Sequence, residues 1–247
     1  MPVSKRRVRW RQEGLTVKGF FEATLADVTR LVLVRHARTA GNVEGRMCSR
    51  SEIGIDEVGR RQAELVARRL AEFDVSVLYS SPQLRARQTA EIIAARLGLE
   101  IVYRDELVEF DFGEISETTL EELKALNPAR HAELCAWMEM GPEEGMCRPE
   151  IPGAETVEGF TERLTRFRDM VLDRHQGQVV AAVSHGATIK GFMTLFSGGA
   201  VPMREQFYAD NASLSVVDFY HRVPTIRTFN ERCDLGDRLG YGRPLIV

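Results

Sequence analysis

Two histidines follow apolar runs that are typical of buried strands. His36 comes after the run at residues 31–34 with one residue between, and His185 has the same spacing from the run at residues 179–183. Because the carboxyl ends of parallel strands meet at one edge of a sheet, we expect both imidazoles at the same edge. A single histidine at a strand end is more often structural, but two at equivalent ends indicate nucleophilic or acid–base chemistry.

Residues suited to anion binding surround these histidines. Arg35 directly precedes His36 and can donate a two-pronged hydrogen bond to phosphate. Arg85 falls near the start of a predicted helix, where the unpaired N–H groups of the first turn also favour an anion. In the loop after His36, Thr39 and Asn42 can donate or accept hydrogen bonds. Either residue alone would be common in a turn and would not indicate a binding site. Together these residues favour an anion site.

A carboxyl group that can move a proton is expected in the segment 108–114. Glu109 lies between two apolar residues, and such neighbours suit a carboxyl group to the role of general acid. From residue types alone, Glu109, Asp111 and Glu114 are equal candidates. The alternative is a strand end with solvated acids.

Strands alternate with helices along the chain. The hydrophobic pattern predicts strands near residues 31–34, 74–79, 101–103, 179–183, 214–219 and 225–229, and helices near residues 56–72, 82–97, 117–150 and 157–171. Such alternation is typical of an α/β fold, which we predict as a single-domain three-layer sandwich. Its central sheet would be mostly parallel, with helices on both faces.

Two helix starts are predicted from capping residues. Ser81 and Pro82 fit the N-cap and the first helical position of the second helix. Thr118 and Glu121 have the spacing of a capping box. That box would begin the helical stretch at residues 117–150.

Composition limits the class of protein. The chain has 247 residues and a formal net charge of −3, whereas nucleic-acid-binding proteins are usually strongly basic. It has no apolar run long enough for a transmembrane helix, and the basic N-terminus is not followed by the apolar segment of a secretory signal. We therefore expect a cytoplasmic protein without a nucleic-acid or membrane partner, which could form a homo-oligomer.

The cysteines and the chain ends complete this outline. The four cysteines are scattered, with no pair spaced as in a zinc site, so we interpret them as free thiols in a reducing compartment. Residues 1–28 are interpreted as an N-terminal extension with a basic, solvated run, and residues 29–247 as one domain. The tail from residue 233 could pack on this domain or contribute to an oligomer.

Four segments resemble the motifs of the histidine phosphatase (phosphoglycerate-mutase-like) superfamily. They occur in the order that the family shows and span residues 31 to about 190. A single Arg-His-Gly-like triplet would be weak evidence, whereas four ordered motifs are specific. The segments are residues 33–42 with His36 and Asn42, residues 80–90 with Arg85, residues 109–114 with Glu109, and residues 183–187 with His185.

Two positions depart from the family pattern. Ala37 replaces the more usual glycine after the histidine, a variation that the family admits. Residues 115–117 are Ile-Ser-Glu, where many phosphatase members have Trp-Glu-Gly. That segment would line the substrate side, so the departure leaves the substrate open without affecting the chemistry.

The resemblance implies a phosphoric monoester hydrolase that needs no metal and no cofactor. Its substrate would be a phosphate ester of a small metabolite. Neutral His36 would attack phosphorus to form a phosphohistidine, and Glu109 would protonate the leaving group and then activate water. The phosphate oxygens would be bound by Arg35, Thr39, Asn42, Arg85 and a protonated His185.

Two other functions stay open. In a phosphomutase of the phosphoglycerate type, the phosphohistidine returns its phosphoryl group to a second hydroxyl. The long Tyr-Gly and Leu-Asn-Lys motif of that branch is not visible, so hydrolysis is favoured. A non-catalytic module would bind a phosphate ester without turnover, and the presence of both histidines and a candidate acid argues against it.

Overall fold

The structure is a computed structural model that describes residues 28–140, 149–199 and 207–233. Nearly all of the predicted N-terminal extension lies outside the described residues. Cys147 and the tail beyond Cys233 also lie outside them. What we expect of these segments therefore stays a prediction.

The described residues form one six-stranded sheet. Its strands are β1 (Val28–Arg35), β2 (Val77–Ser80), β3 (Ile101–Tyr103), β4 (Val179–Ser184), β5 (Ser213–Tyr220) and β6 (Val223–Arg232). The strand order is β3-β2-β4-β1-β5-β6. The first four strands in this order are parallel, and β5 runs antiparallel to both of its neighbours. The predicted, mostly parallel sheet is confirmed.

Seven α-helices accompany the sheet within the described ranges. They are α1 (Ala40–Val43), α2 (Glu57–Leu70), α3 (Leu84–Leu97), α4 (Leu120–Leu126), α5 (Pro128–Met140), α6 (Val157–Arg174) and α7 (Gly186–Phe196). Residues of α2 and α3 pack on one face of the sheet, and residues of α6 and α7 pack on the other. This arrangement is the predicted three-layer sandwich. None of these helices is long and apolar enough to cross a membrane.

Strand β1 is buried on both faces, as its continuous apolar run predicts. Leu31 and Leu33 belong to the core cluster with α6 and α7, while Val32 and Val34 belong to the cluster with α2 and α3. Successive side chains of a strand point to opposite faces. The strand that carries the first histidine is therefore fixed from both sides.

The pairing of β1 with β4 brings the two histidines together. Arg35 lies opposite Ser184 in the parallel register. Just beyond the sheet, the N–H of His36 donates to the carbonyl oxygen of Ser184 over 2.8 Å. His36 and His185 therefore leave the sheet at the same edge, as the sequence predicts.

Both predicted helix starts are displaced. Helix α3 begins at Leu84 with Gln83 as N-cap. The Ser81 hydroxyl does not cap this helix and bonds instead to His185, the residue after β4. The capping box of α4 is formed by Thr119 and Glu122. The hydroxyl of Thr118 instead donates to the carbonyl oxygen of residue 115 over 2.7 Å.

Candidate active site

A cavity of about 460 Å³ opens beside the carboxyl ends of β1 and β4, and Arg35, His36, Arg85 and Glu109 line it. His185 lies directly behind this wall and is fully buried, with its ring centroid 5.1 Å from that of His36. The fold thus brings together residues from all four motifs. Within the described ranges, no group of three or more His, Cys, Asp or Glu side chains is placed to hold a metal ion.

The imidazole of His36 is oriented by the adjacent main chain. Its Nδ1 lies 2.8 Å from the carbonyl oxygen of Ala37. A carbonyl oxygen can only accept, so Nδ1 carries the hydrogen and Nε2 keeps its lone pair. The Nε–H of Arg85 donates to this lone pair over 3.3 Å. The Nε2 lone pair therefore faces Arg85.

The surroundings of His36 keep its imidazole neutral. Burial lowers the pKa of His36 well below its usual value of 6.5, and the charges of Arg85 and Arg35 lower it further, while the hydrogen bond to Ala37 opposes this shift. Only a neutral imidazole has a lone pair with which to attack phosphorus. The site therefore maintains the reactive form at pH values where an exposed histidine would be largely protonated.

Ser81 is the hydrogen-bond partner of Nε2 of His185. The main-chain N–H of Gln83 donates to the Ser81 hydroxyl over 3.3 Å, so this hydroxyl can donate its own hydrogen to Nε2 of His185 at 2.8 Å. Nε2 then acts as an acceptor, and Nδ1 carries the ring hydrogen. Nδ1 is buried and has no hydrogen-bond partner among the described residues. This arrangement leaves an N–H donor for a phosphate oxygen.

The surroundings of His185 favour a neutral imidazole before phosphate binds, and its protonation in the phosphate complex stays a prediction of the resemblance. Burial lowers the pKa of His185 well below 6.5, and the nearby charges, with Arg85 the strongest, act in the same direction. A neutral imidazole still offers its Nδ1–H as a donor. His185 can therefore bind a phosphate oxygen without a positive charge of its own.

The guanidinium group of Arg35 lies next to Gly186. A Cβ atom at position 186 would lie 3.4 Å from Nε and Cζ of Arg35, which is ordinary van der Waals contact. Nη1 of Arg35 donates to the carbonyl oxygen of Ala209. Its Nε is buried without a hydrogen-bond partner among the described residues. A phosphate oxygen could accept from this donor.

Arg85 is buried and is held by main-chain carbonyl groups. Its Nη1 donates to the carbonyl oxygen of Ser51 over 2.9 Å, and its Nη2 donates to that of Ser49 over 2.6 Å. Since carbonyl groups are neutral, they orient the guanidinium group without neutralising its charge. The charge of Arg85 remains available to an anion beside His36.

The carboxylate of Glu109 lies at the N-terminus of α7. It accepts hydrogen bonds from the N–H groups of Ala187 and Thr188, both over 3.2 Å. It also accepts from the N–H of Phe110 over 2.8 Å. Unpaired N–H groups at a helix N-terminus attract negative groups, so the carboxylate is held on the same cavity wall as His36.

The segment that carries Glu109 is irregular, yet side chains from distant elements fix its main chain. Four side chains hold its carbonyl oxygens, and the Gln83 side chain accepts from the N–H of Glu109 over 2.7 Å. The four donors are Arg163 to residue 106, Ser184 to residue 107, Thr188 to residue 108 and Ser49 to residue 110. These side-chain hydrogen bonds to the main chain therefore position Glu109, although its segment does not belong to a strand.

Comparison with known proteins identifies the family to which this site belongs. The sequence model of the histidine phosphatase superfamily (branch 1) matches residues 31–232. Phosphoserine phosphatase 1 from Hydrogenobacter thermophilus is 31% identical over 210 residues, which cover 85% of this chain and 96% of the relative. This chain belongs to the histidine phosphatase superfamily.

Solved structures of histidine phosphatases share the fold. A putative α-ribazole-5′-P phosphatase from Escherichia coli has a TM-score of 0.72 at 21% identity, covering 83% of this chain and 98% of that chain. A mutant phosphoserine phosphatase from Entamoeba histolytica, solved with phosphoserine, has a TM-score of 0.66 at 26% identity, covering 84% and 98%. The predicted fold, the resemblance and the prediction of a phosphoric monoester hydrolase of this family are confirmed.

The geometry distinguishes the three acids that residue types alone leave equal, and it agrees with the choice of Glu109 that the resemblance implies. Of these three residues, only Glu109 is among the described residues that line the cavity. Asp111 accepts from the N–H of Gly113 over 2.9 Å and lies 3.6 Å from Arg50. Glu114 pairs with Arg130 at 3.3 Å. The position of Glu109 therefore matches the acid of the histidine phosphatase motif.

Asn42 and Thr39 form the capping box of the short helix α1. Oδ1 of Asn42 accepts from the N–H and the hydroxyl of Thr39, at 3.1 and 3.0 Å, and from Asn211 at 3.1 Å. Asn42 lines the cavity, whereas Thr39 is fully buried beneath it. Contact between either residue and phosphate stays a prediction.

Two residues of this histidine phosphatase site escape the sequence analysis. Ser81 appears there only as a helix cap, and Gln83 is not considered. Both are buried polar residues that follow β2 at the edge where His36 and His185 emerge. Their position directly after a buried strand could have marked both as site residues. Because Ser81 also fits a helix cap, the sequence predicts only that role for it.

Proposed function

We propose that this protein hydrolyses phosphate monoesters of small metabolites, without a metal ion, through a phosphohistidine on Nε2 of His36. The orientation of His36 carries the proposal, because Ala37 holds the Nδ1 hydrogen and the Nε2 lone pair faces Arg85. A lone pair beside a guanidinium group is placed to attack a phosphorus atom whose oxygens that group binds.

In the first step, Nε2 of His36 attacks phosphorus in line with the ester oxygen. The new N–P bond forms as the P–O ester bond breaks, and the bonding electrons stay with the leaving oxygen. Glu109 in its protonated form donates the proton that this oxygen needs. Proton transfer of this kind typically contributes about 10²- to 10⁴-fold to the rate.

In the second step, water attacks the phosphorus atom of the phosphohistidine. The Glu109 carboxylate accepts a proton from this water, the N–P bond breaks, and the lone pair returns to Nε2. Inorganic phosphate leaves, and the site regains its original protonation. The hydrogen-bond donors around Glu109 hold its carboxylate in the orientation that this step uses.

Charge on the transferred group is balanced by protein cations. Arg35 and Arg85 each contribute a guanidinium group to the cavity wall, and His185 adds its Nδ1–H from behind. Such donors are already oriented before charge develops on the equatorial oxygens, which is the usual source of electrostatic stabilisation in phosphoryl transfer.

Hydrolysis of an aryl phosphate in excess EDTA tests the proposal. We expect activity that survives the chelator and that His36→Asn abolishes. The control is His221→Asn, which changes an exposed histidine in the β5–β6 turn, where asparagine suits the left-handed main chain. Loss of wild-type activity on chelation, or near-normal turnover by folded His36→Asn, would contradict the proposal.

A further inference from the structure

We infer that the leaving-group side of this cavity binds an apolar group, so that the preferred substrates are phosphate esters of apolar alcohols. This inference rests on the proposed function, because it assigns the part of the ester that departs from phosphorus. The observation that supports it is the apolar composition of the cavity wall that is built by helices and loops outside the sheet.

This second wall is built from apolar side chains. Six of them line the cavity, contributed by the loop after α1, the segment after Glu109, and helices α4 and α5. Ile115 and Leu134 are buried, and the others are half-buried, so they present apolar surface to the cavity. The six residues are Met47, Phe112, Ile115, Leu120, Leu134 and Trp137.

The apolar wall is backed by a small core of its own. Ile115 and Leu134 form a buried cluster with Leu123 and Ile151, and the remaining wall residues pack against that cluster. Side chains that are already packed lose little further freedom when a ligand binds. The wall is therefore a preformed apolar surface beside the phosphate site.

The charges of the lining residues argue against a zwitterionic leaving group such as serine. Glu109 is the sole acidic side chain among the described residues of the lining, and the reaction uses its carboxyl group. An ammonium group on the substrate would have no other carboxylate partner there. The cations among the described lining residues are Arg35, Arg46, Arg85 and Lys190. Arg46, near the apolar wall, is already paired with Glu44 and Glu122, and the excess of cations disfavours an ammonium group.

A series of n-alkyl phosphates from ethyl to hexyl, with phosphoserine as a polar comparison, tests this inference. Phosphoserine and n-propyl phosphate share a three-carbon chain. Since burial of one methylene group is worth about 0.8 kcal/mol, or about fourfold, we expect kcat/KM to rise by about two- to fourfold per added methylene. We also expect n-propyl phosphate to exceed phosphoserine. The gain belongs mainly to KM, because apolar contacts bind substrate and transition state alike.

Two leucines of helix α4 provide a matched pair of variants. Leu120 lines the cavity, whereas Leu126 is 76% exposed and lies outside it. Leu120→Ala should lower kcat/KM for hexyl phosphate by about fivefold or more and leave ethyl phosphate nearly unchanged. Leu126→Ala should leave both substrates unchanged. Thermal unfolding of the two variants separates loss of packing from loss of substrate contact.

Binding of n-alkyl phosphonates, which the enzyme cannot hydrolyse, distinguishes the two proposals. If no ester is turned over but hexyl phosphonate binds more tightly than methyl phosphonate, and Leu120→Ala removes the difference, the apolar pocket stands and the proposed function fails. If esters are hydrolysed but neither rate nor phosphonate affinity rises with chain length, the apolar pocket is overturned. Preference for phosphoserine over n-propyl phosphate would also overturn it.

Discussion

The hydroxyl group of Ser81 lies 2.8 Å from Nε2 of His185, and both residues are fully buried. Ser81 follows β2, and His185 follows the neighbouring strand β4. If the Ser81 hydroxyl donates in this contact, Nδ1 of His185 carries the ring hydrogen and offers an N–H to a phosphate group.

We predict that Ser81→Ala lowers kcat/KM by about tenfold, because loss of one buried hydrogen bond costs about 1 to 1.5 kcal/mol and the Nδ1–H tautomer is no longer enforced. Ser80→Ala is the control, because the Ser80 hydroxyl donates to the main-chain carbonyl of Ser81 instead. Imidazole ¹⁵N chemical shifts report the tautomer directly. A His185 tautomer that is unchanged in Ser81→Ala would refute this role.

Gln83 is expected to position the general acid. Its side chain donates to the carbonyl oxygen of Ser49 and accepts from the N–H of Glu109, which connects the Arg85 site to the acid. Gln83→Met keeps the volume and removes both bonds. We predict a loss of kcat/KM of about tenfold for alkyl phosphates, and a much smaller loss for aryl phosphates, whose phenolate leaves with less protonation.

Gln62→Met serves as the control for Gln83→Met. Gln62 is also buried, but it accepts from the main-chain N–H of Arg38. Its replacement can destabilise the fold without a preference for one class of leaving group. Equal losses on alkyl and aryl phosphates in Gln83→Met would show that Gln83 stabilises the fold and does not position Glu109.

The assignment of the acid gives a comparison of three variants. Glu109→Gln should lower kcat/KM, which reports on formation of the phosphohistidine, by about 10²-fold or more for alkyl phosphates and by less for aryl phosphates. Asp111→Asn and Glu114→Gln should stay near wild type, because those carboxylates pair outside the cavity. If either of these two variants loses more activity than Glu109→Gln, the carboxyl group changed in that variant is the general acid instead of Glu109.

The buried histidines predict how stability depends on pH. The folded protein lowers the pKa of His36 and of His185 well below 6.5. Below pH 6.5 the unfolded chain therefore binds protons that the folded chain does not bind, so the free energy of unfolding falls as pH falls.

His36→Asn should reduce this dependence on pH. Between pH 6 and pH 5, the wild-type free energy of unfolding should fall more steeply, by up to about 1.4 kcal/mol per pH unit, than that of the variant. Urea unfolding at each pH measures the difference, with His221→Asn as the control. Parallel curves for wild type and His36→Asn would mean that His36 is not held neutral in the folded state.

Much of the fold follows from local sequence. The apolar runs before His36 and His185 were long enough to mark buried strands, and two such runs in an alternating chain place their ends at one edge. The motifs then indicate His36, Arg35, Arg85 and His185 together. These residues lie at element ends, where a change from apolar to polar residues is visible in the sequence.

Long-range hydrogen bonds could not be predicted in the same way. Ser81 looks like a helix cap because Pro82 follows it, but its hydroxyl is used by a residue 104 positions away. Glu109 is indistinguishable from Asp111 by residue type; the family motif favours Glu109, and the docking of the 106–110 segment against α7 shows how it is positioned. The neutral state of His185 depends on burial, which the sequence indicates only weakly.

The central claim is that His36 carries the phosphoryl group on Nε2, and it is tested most directly by trapping that group. Glu109→Gln would be mixed with ³²P-labelled aryl phosphate and quenched in base, in which phosphohistidine is stable. We predict stoichiometric label at residue 36, with the phosphoryl group on Nε2 by NMR, and no label when His36→Asn is added. Label on another residue or on Nδ1, or wild-type turnover with no trapped phosphoprotein, would contradict the account.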